Sequence, residues 1–482
     1  MCQALKIRIF GCIIQCAKSL FNIGVFILAL ARKRNIDMTS GPLFRNIISY
    51  TIPIIFTGLL QLLFNAADLV IVGQFCGSIS VAAVGATSSI TNLIVNLFMG
   101  LSVGTGVAVA QALGANDGKK AHRAVHTAIP TALVGGVILT IIGVAFSETF
   151  LKWMSTPENV LPLSALYMKI YFAGIIFMLL YNFCASILRA AGDTKSPLIF
   201  LTIAGAINVV LNFIFVTVFH LNVAGVALAT TISQGVSAVL VVVALAKRED
   251  ACRLQLSKLK FYKDELLQII KIGLPAGIQG SLFSISNVII QSSINSFGEV
   301  VMSGNAAALN IEGFMFVALN AFHQTTLNFT GQNIGAKKYR RAKNVFLVSL
   351  VCVFVIGLLV STSVYLSGEH LLKIYLPDSA EAIEHGMLRL KCLCLSYCLL
   401  GMMDVSGGGL RGMGVSLAPM IISVLGVCGI RIGWIYTVFQ IPQYHTPEYL
   451  YLSYTISWGI TFAAQTIAYF VIYEKRKKNK QK

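Results

Sequence analysis

From residue 43 onward the chain is a succession of apolar runs, each long enough to cross a lipid bilayer and separated by short polar breaks. A helix needs about 20 apolar residues to span the hydrocarbon core. In lipid only helices and closed barrels satisfy every backbone polar group. The runs predict spans at about 43–70, 82–112, 122–147, 162–188, 197–219 and 223–247, then 265–295, 304–333, 343–366, 386–410, 417–438 and 449–473. This pattern specifies an all-α integral membrane protein with about twelve transmembrane helices. Composition agrees: 56% of residues are hydrophobic and 12% charged, where a soluble domain carries about 25% charge.

The second constraint is an internal repeat. Pro53 and Pro275 stand 222 positions apart, as do Asn65 and Asn287. Gln111–Gly114–Ala115 returns as Gln332–Gly335–Ala336 at an offset of 221, and Leu188–Arg189–Gly192–Pro197 returns as Leu410–Arg411–Gly414–Pro419 at 222. The chain therefore holds two copies of one six-helix unit. An even number of spans per copy makes the repeats parallel, a plan that transporters use. The expected organisation is an amino-terminal extension over 1–37, a first lobe over 38–250, a linker over 251–264, a second lobe over 265–474 and a basic tail over 475–482. The extension is either an interfacial segment or a stretch upstream of a true start at Met38.

Net charge is +18, but the basic residues sit in alternate loops, so the positive-inside rule accounts for them without nucleic acid. One set holds Lys119, Lys120 and Arg123, the 247–263 stretch, Lys337–Lys343 and the tail; the other holds little beyond Lys152 and Lys373. Both termini are expected in the cytoplasm and the chain in the cell membrane.

Asp68 is the one acid in the first span. A charged group at membrane depth costs at least ~2.5–3.5 kcal/mol on insertion scales, so one that persists marks a functional site. Pro53 and Pro275 lie inside the first spans of the two repeats and are expected to bend them, since proline removes a helix hydrogen bond. The glycines at 100–106 and 407–414 follow no strand and read as close helix packing rather than phosphate loops. The seven histidines and eleven cysteines show no metal spacing such as His-Glu-x-x-His or paired CxxC. There is no nucleotide-binding motif, no Asp-Asp-x-x-Asp set for a membrane-embedded enzyme, and no Asp-Arg-x-Gly-Arg loop of a major-facilitator transporter. The chain is not expected to be an enzyme or to carry a cofactor.

On Pro53, Asp68 and Gly73, the duplicated Gln-x-x-Gly-Ala, the duplicated Leu-Arg-x-x-Gly followed by Pro, and Gly429–Ile430–Arg431–Ile432–Gly433–Trp434, residues 40–473 resemble the multidrug and toxic compound extrusion family, in its prokaryotic DinF-like branch. The resemblance implies a V-shaped pair of lobes. It also implies export of small organic, often cationic, compounds driven by inward H+ or Na+, here by a chain expected to work as a monomer. In that branch a cation site in the first lobe joins an Asp on the first span, Asn-x-x-x-Asp on the fifth and a Thr on the sixth. Asp68, Asn208 and Thr230 match; Asn212 stands where the pattern has Asp. Asn208 and Asn212 are four apart and share one helix face. One carboxylate, two amides and a hydroxyl suit a hard cation, although with less charge than two carboxylates. A lone buried carboxyl is also a proton carrier, because desolvation disfavours its charged form.

In the second lobe Glu312 and Asp404 are candidates for a substrate or proton site, with Arg411 the alternative partner of Asp404. Arg431 is expected to pair with an acid or a carbonyl. The other function weighed is a flippase for a lipid-linked precursor, which needs in-membrane cations for a diphosphate.

Overall fold

A computed structural model describes residues 35–154, 156–377 and 379–478. The expectation for residues 1–37 thus lies outside the described residues except at 35–37. Among the described residues eleven helices are long and apolar enough to cross a membrane, and a bent helix pair makes a twelfth span.

In chain order they are α1 (Leu43–Phe75), α2 (Ser78–Gly114), α3 (Gly118–Trp153), the pair α4 (Leu161–Ala173) and α5 (Ile175–Ala190), α6 (Lys195–Phe213) and α7 (Asn222–Ala246). The second set is α8 (Lys263–Asn295), α9 (Glu299–Gly335), α10 (Tyr339–Tyr375), α11 (Ala380–Leu393) running on into α12 (Tyr397–Gly412), α13 (Leu417–Ser423) continued by α14 (Ile430–Tyr436), and α15 (Pro447–Lys478). Short π-helical segments follow α6 at Ile214–Val218 and join α13 to α14 at Val424–Gly429.

The duplicated motifs are helix stops. Gly192 and Gly414 both have positive φ, +89° and +81°, a region that glycine occupies without a Cβ penalty. Around them the Asp193 amide donates to Leu188 O at 2.9 Å and the Val415 amide to Leu410 O at 3.1 Å, the six-to-one bond of a Schellman end. Pro197 and Pro419 then fall in the first turns of α6 and α13, where a missing N–H costs nothing.

By packing, the described residues form two compact units: 35–36, 56–109 and 118–266 belong to unit 1, and 37–55, 110–117 and 267–478 to unit 2. The first part of α1 and the end of α2 thus pack with the second repeat, a finer division than a cut between the repeats.

In unit 1, Leu139, Leu151, Met168, Phe172, Ile175 and Leu179 make a buried apolar core. α4 and α5 meet at 45° across Gly174. A Cβ there would lie 2.9 Å from Thr231 Cβ. The break frees carbonyls that side chains recover: Thr140 donates to Phe172 O at 2.8 Å. The 251–264 stretch is fixed to α3 rather than loose. The fully buried His126 accepts from the Gln255 amide at 3.0 Å, and the Tyr262 amide donates to Thr127 Oγ1 at 3.2 Å; just beyond the stretch Arg123 pairs with Glu265 at 2.7 Å.

In unit 2, α9 is the central helix. The glycines of α12 do pack closely: a Cβ on Gly408 would lie 2.7 Å from His323 O, and one on Gly409 2.9 Å from the Tyr469 ring. Asn333 donates to Met38 O at 2.9 Å. Lys338 donates to Thr39 O at 2.9 Å, and Arg341 to Ser40 O and Gly41 O at 2.6 and 3.1 Å. These basic residues at the start of α10 hold the backbone that leads into α1.

Candidate functional site

The four residues matched to the cation pattern come together in unit 1. α1 supplies Asp68, α6 supplies Asn208 and Asn212 one turn apart, and α7 supplies Thr230. Their side chains form a closed ring. Asn212 Nδ2 donates to Asp68 Oδ1 by a short contact and lies 3.2 Å from Asn208 Oδ1. Asn208 Nδ2 donates to Thr230 Oγ1 at 3.4 Å, and Thr230 Oγ1 returns to Asp68 Oδ2 at 3.4 Å. Both asparagines are buried, whereas Asp68 and Thr230 are half-buried. The Asn212 Oδ1 atom is buried without a hydrogen-bond partner among the described residues, an arrangement that costs about 1–3 kcal/mol. An orphaned amide oxygen beside a carboxylate, a second amide and a hydroxyl is a donor set for a hard cation. The π-helical turn Ile214–Val218 begins two residues after Asn212, and such turns recur at functional sites.

Glu312 and Asp404 stand apart from this ring, in two polar clusters of unit 2. Glu312 on α9 receives Arg389 of α11 through Nε and Nη2, both at 2.7 Å, and the Tyr397 hydroxyl at 2.7 Å. Arg389 also donates to Asn305 Oδ1 at 2.8 Å. Glu312 and Arg389 are both buried. The two-pronged geometry is the strong form of this pairing. Sequence reading missed Arg389, although a basic residue inside the predicted 386–410 span was the available signal.

Asp404 makes no ion pair among the described residues. It is half-buried and coupled electrostatically to Arg411. Arg411 instead donates to Gln279 at 2.7 Å and to His323 Nε2 at 3.3 Å. Because the guanidinium can only donate, Nε2 is the acceptor and Nδ1 carries the proton, which it gives to Asp404 O at 2.7 Å.

Arg431 corrects its expectation. It is buried and pairs with neither an acid nor a carbonyl among the described residues. Its guanidinium carbon lies 3.9 Å from the Tyr454 ring centroid and 5.4 Å from that of Trp458. Its Nε donates to Ser457 at 2.9 Å, and its Nη2 has no partner. Aromatic faces took the place of the carboxylate, a substitution that hydropathy does not reveal.

The MatE family model matches residues 53–214 and again 275–437, once in each repeat. The chain is 26% identical over 395 residues to the probable multidrug resistance protein YpnP of Bacillus subtilis, covering 82% of this chain and 88% of that one. It is 28% identical to the probable multidrug resistance protein YoeA of the same organism, over 72% of this chain and 75% of that one. In fold it is similar to an outward-facing multidrug resistance MATE family transporter, with TM-score 0.85 and 22% identity over 92% of this chain and 99% of that one. It is likewise similar to a MOP superfamily transporter from Pyrococcus furiosus, with TM-score 0.86 and 21% identity over 92% and 99%. With a family match in both repeats and the two-by-six helical fold, the chain belongs to the MatE family of multidrug and toxic compound extrusion transporters.

Proposed function

We propose that this chain is a secondary antiporter that exports small organic, often cationic, compounds across the cell membrane in exchange for inward H+ or Na+, with both termini cytoplasmic and one chain as the working unit. Asp68, Asn208, Asn212 and Thr230 bind the coupling ion. The observation that carries this reading is the closed ring of four side chains with the orphaned Asn212 oxygen. A proton on Asp68 or a cation beside it removes the charge that Asn212 and Thr230 now hold, and so changes the packing of α1. Pro53 lies inside that helix, two residues before the point at which α1 passes from one unit to the other. It gives the helix a place to bend when the site loads.

The test is export of a fluorescent organic cation from proteoliposomes, under a Na+ gradient alone and a pH gradient alone, for the wild type and Asp68→Asn. Export under one gradient that vanishes in the variant supports the antiporter and names its ion. Export unchanged in the variant sinks the role of Asp68.

The flippase is the second reading. Unit 2 buries three arginines, Arg389, Arg411 and Arg431, and a diphosphate site needs in-membrane cations. The Pyrococcus furiosus relative is described as having a binding pocket of reverse polarity that suggests a different function. A diphosphate, however, needs several free cations, and Arg389 is committed to Glu312. No export under either gradient would move the weight to the flippase.

A further inference from the structure

Buried charge in unit 2 does not balance around α14. Arg389 is matched by Glu312. Arg431 forms no ion pair among the described residues, and its electrostatic neighbours are Tyr454, Cys428, Arg389 and Tyr397, with no carboxylate among them. An uncompensated charge taken out of water is strongly unfavourable, and a basic residue at membrane depth is a functional-site hypothesis whose partner has to be named. The Tyr454 and Trp458 faces at 3.9 and 5.4 Å and the Ser457 hydroxyl offset part of that cost. They leave Nη2 buried and unpaired among the described residues.

The repeat sharpens the point. The 222-residue offset places Asn208 on Ile430, so Arg431 stands one position along the same span of the second repeat. In the first repeat the fifth and sixth spans contribute Asn208, Asn212 and Thr230 beside an acid. In the second, the equivalent pair of spans contributes Arg431, Tyr454, Ser457 and Trp458. The fifth span thus brings neutral amides to its site in the first repeat and a cation in the second.

We propose that Arg431 is the recognition group of an anion site in unit 2, which takes the carboxylate of a flat, apolar organic acid or zwitterion with Tyr454 and Trp458 as its aromatic wall. A guanidinium fork suits a carboxylate, and the rings suit a planar body. That the bound acid is also exported rests on the antiport reading; binding itself does not.

The experiment is equilibrium binding to the purified chain, so a chain that fails to export still passes or fails it independently. 2-Naphthoate is titrated against wild type, Arg431→Gln and Arg431→Lys, with the neutral 2-naphthalenemethanol as control. Tryptophan fluorescence and melting temperature are read together. Naphthoate is expected to quench and stabilise the wild type, and the alcohol to do neither. Arg431→Gln should weaken naphthoate by about tenfold or more, and Arg431→Lys should fall between. Without ligand, Arg431→Gln should melt at or above the wild type, because it removes an uncompensated charge. Equal naphthoate binding by Arg431→Gln, or no binding by the wild type, overturns the site. A ligand-free melting temperature well below that of the wild type in Arg431→Gln overturns it too, and makes the residue a packing element.

Discussion

Asp68 and Asn212, 144 positions apart, meet through a hydrogen bond from the amide to the carboxylate. This contact joins the first and fifth spans at the one acid of α1. It also puts a neutral amide where the pattern expected from the DinF-like resemblance has a second acid. That exchange leaves the ring one negative charge short, and affinity for a hard cation rises with ligand charge. Asn212→Asp should therefore raise Na+ affinity by roughly tenfold, and Asn208→Ala should lower it by a similar factor. The check is the melting temperature of the purified variants in NaCl against choline chloride at fixed ionic strength. A Na+-specific shift no larger in Asn212→Asp than in the wild type would remove the site's claim to bind Na+.

The Glu312–Arg389 pair predicts an effect on stability rather than on coupling. Both carboxylate oxygens are occupied, by Arg389 and Tyr397. Glu312→Gln leaves a buried guanidinium unpaired and should cost about 3–5 kcal/mol. The double variant Glu312→Leu with Arg389→Met should recover much of the loss. Thermal melting measures both. A Glu312→Gln chain that melts normally yet has lost export would mean that the carboxylate serves transport instead.

The spans were legible because hydropathy, glycine and proline punctuate the chain at each end. Gly192 and Gly414 were visible as a duplicated motif before their positive φ gave the reason. Asp68 was legible as the lone acid of its span, but the other three ring residues only through family resemblance; nothing in local spacing says that residue 68 meets residue 212. The Glu312–Arg389 pair, 77 positions apart, depends on how α9 and α11 pack, and no local signal encodes that. The 45° break at Gly174 was hidden because a single glycine in an apolar run is ordinary in membrane helices. Arg431 misled for a related reason: cations in lipid usually find acids, and here aromatic rings answered instead.

Gly114 and Gly335 explain why Gln-x-x-Gly-Ala occurs twice. In unit 2 the two helix ends approach so closely that a Cβ on Gly114 would lie 2.7 Å from Gln332 Cα, and one on Gly335 2.9 Å from the Ala115 amide nitrogen. The neighbours are backbone, which cannot rotate away. Gln111 reinforces the crossing by donating to Gly412 O at 2.9 Å and accepting from Gln268 at 3.0 Å. Gly114→Ala and Gly335→Ala should each destabilise by about 1–3 kcal/mol. Gly459→Ala, with nothing within 4 Å of its Cβ, should be neutral. Equal melting temperatures across the three would remove the packing explanation.

Asp37 gives a pH-dependent prediction at the entry to α1, outside the spans. Partial burial pushes its carboxyl up, but hydrogen bonds from Ser40 and Thr39 outweigh that and leave it below its usual 3.8. The Thr39 amide and hydroxyl donate at 2.7 and 2.9 Å, ordering the turn whose carbonyls Arg341 and Lys338 hold. A carboxyl whose folded value is depressed adds stability above its unfolded value, and that stability is lost as pH falls through the folded one. The contribution should thus be complete at neutral pH and fade below about pH 4. Asp37→Asn lacks the charge at every pH. Its melting temperature should fall below that of the wild type at pH 7 by an amount that shrinks as the pH approaches 3. A gap that stays constant across this range would show that the turn is held by shape and neutral hydrogen bonds, with the charge contributing nothing.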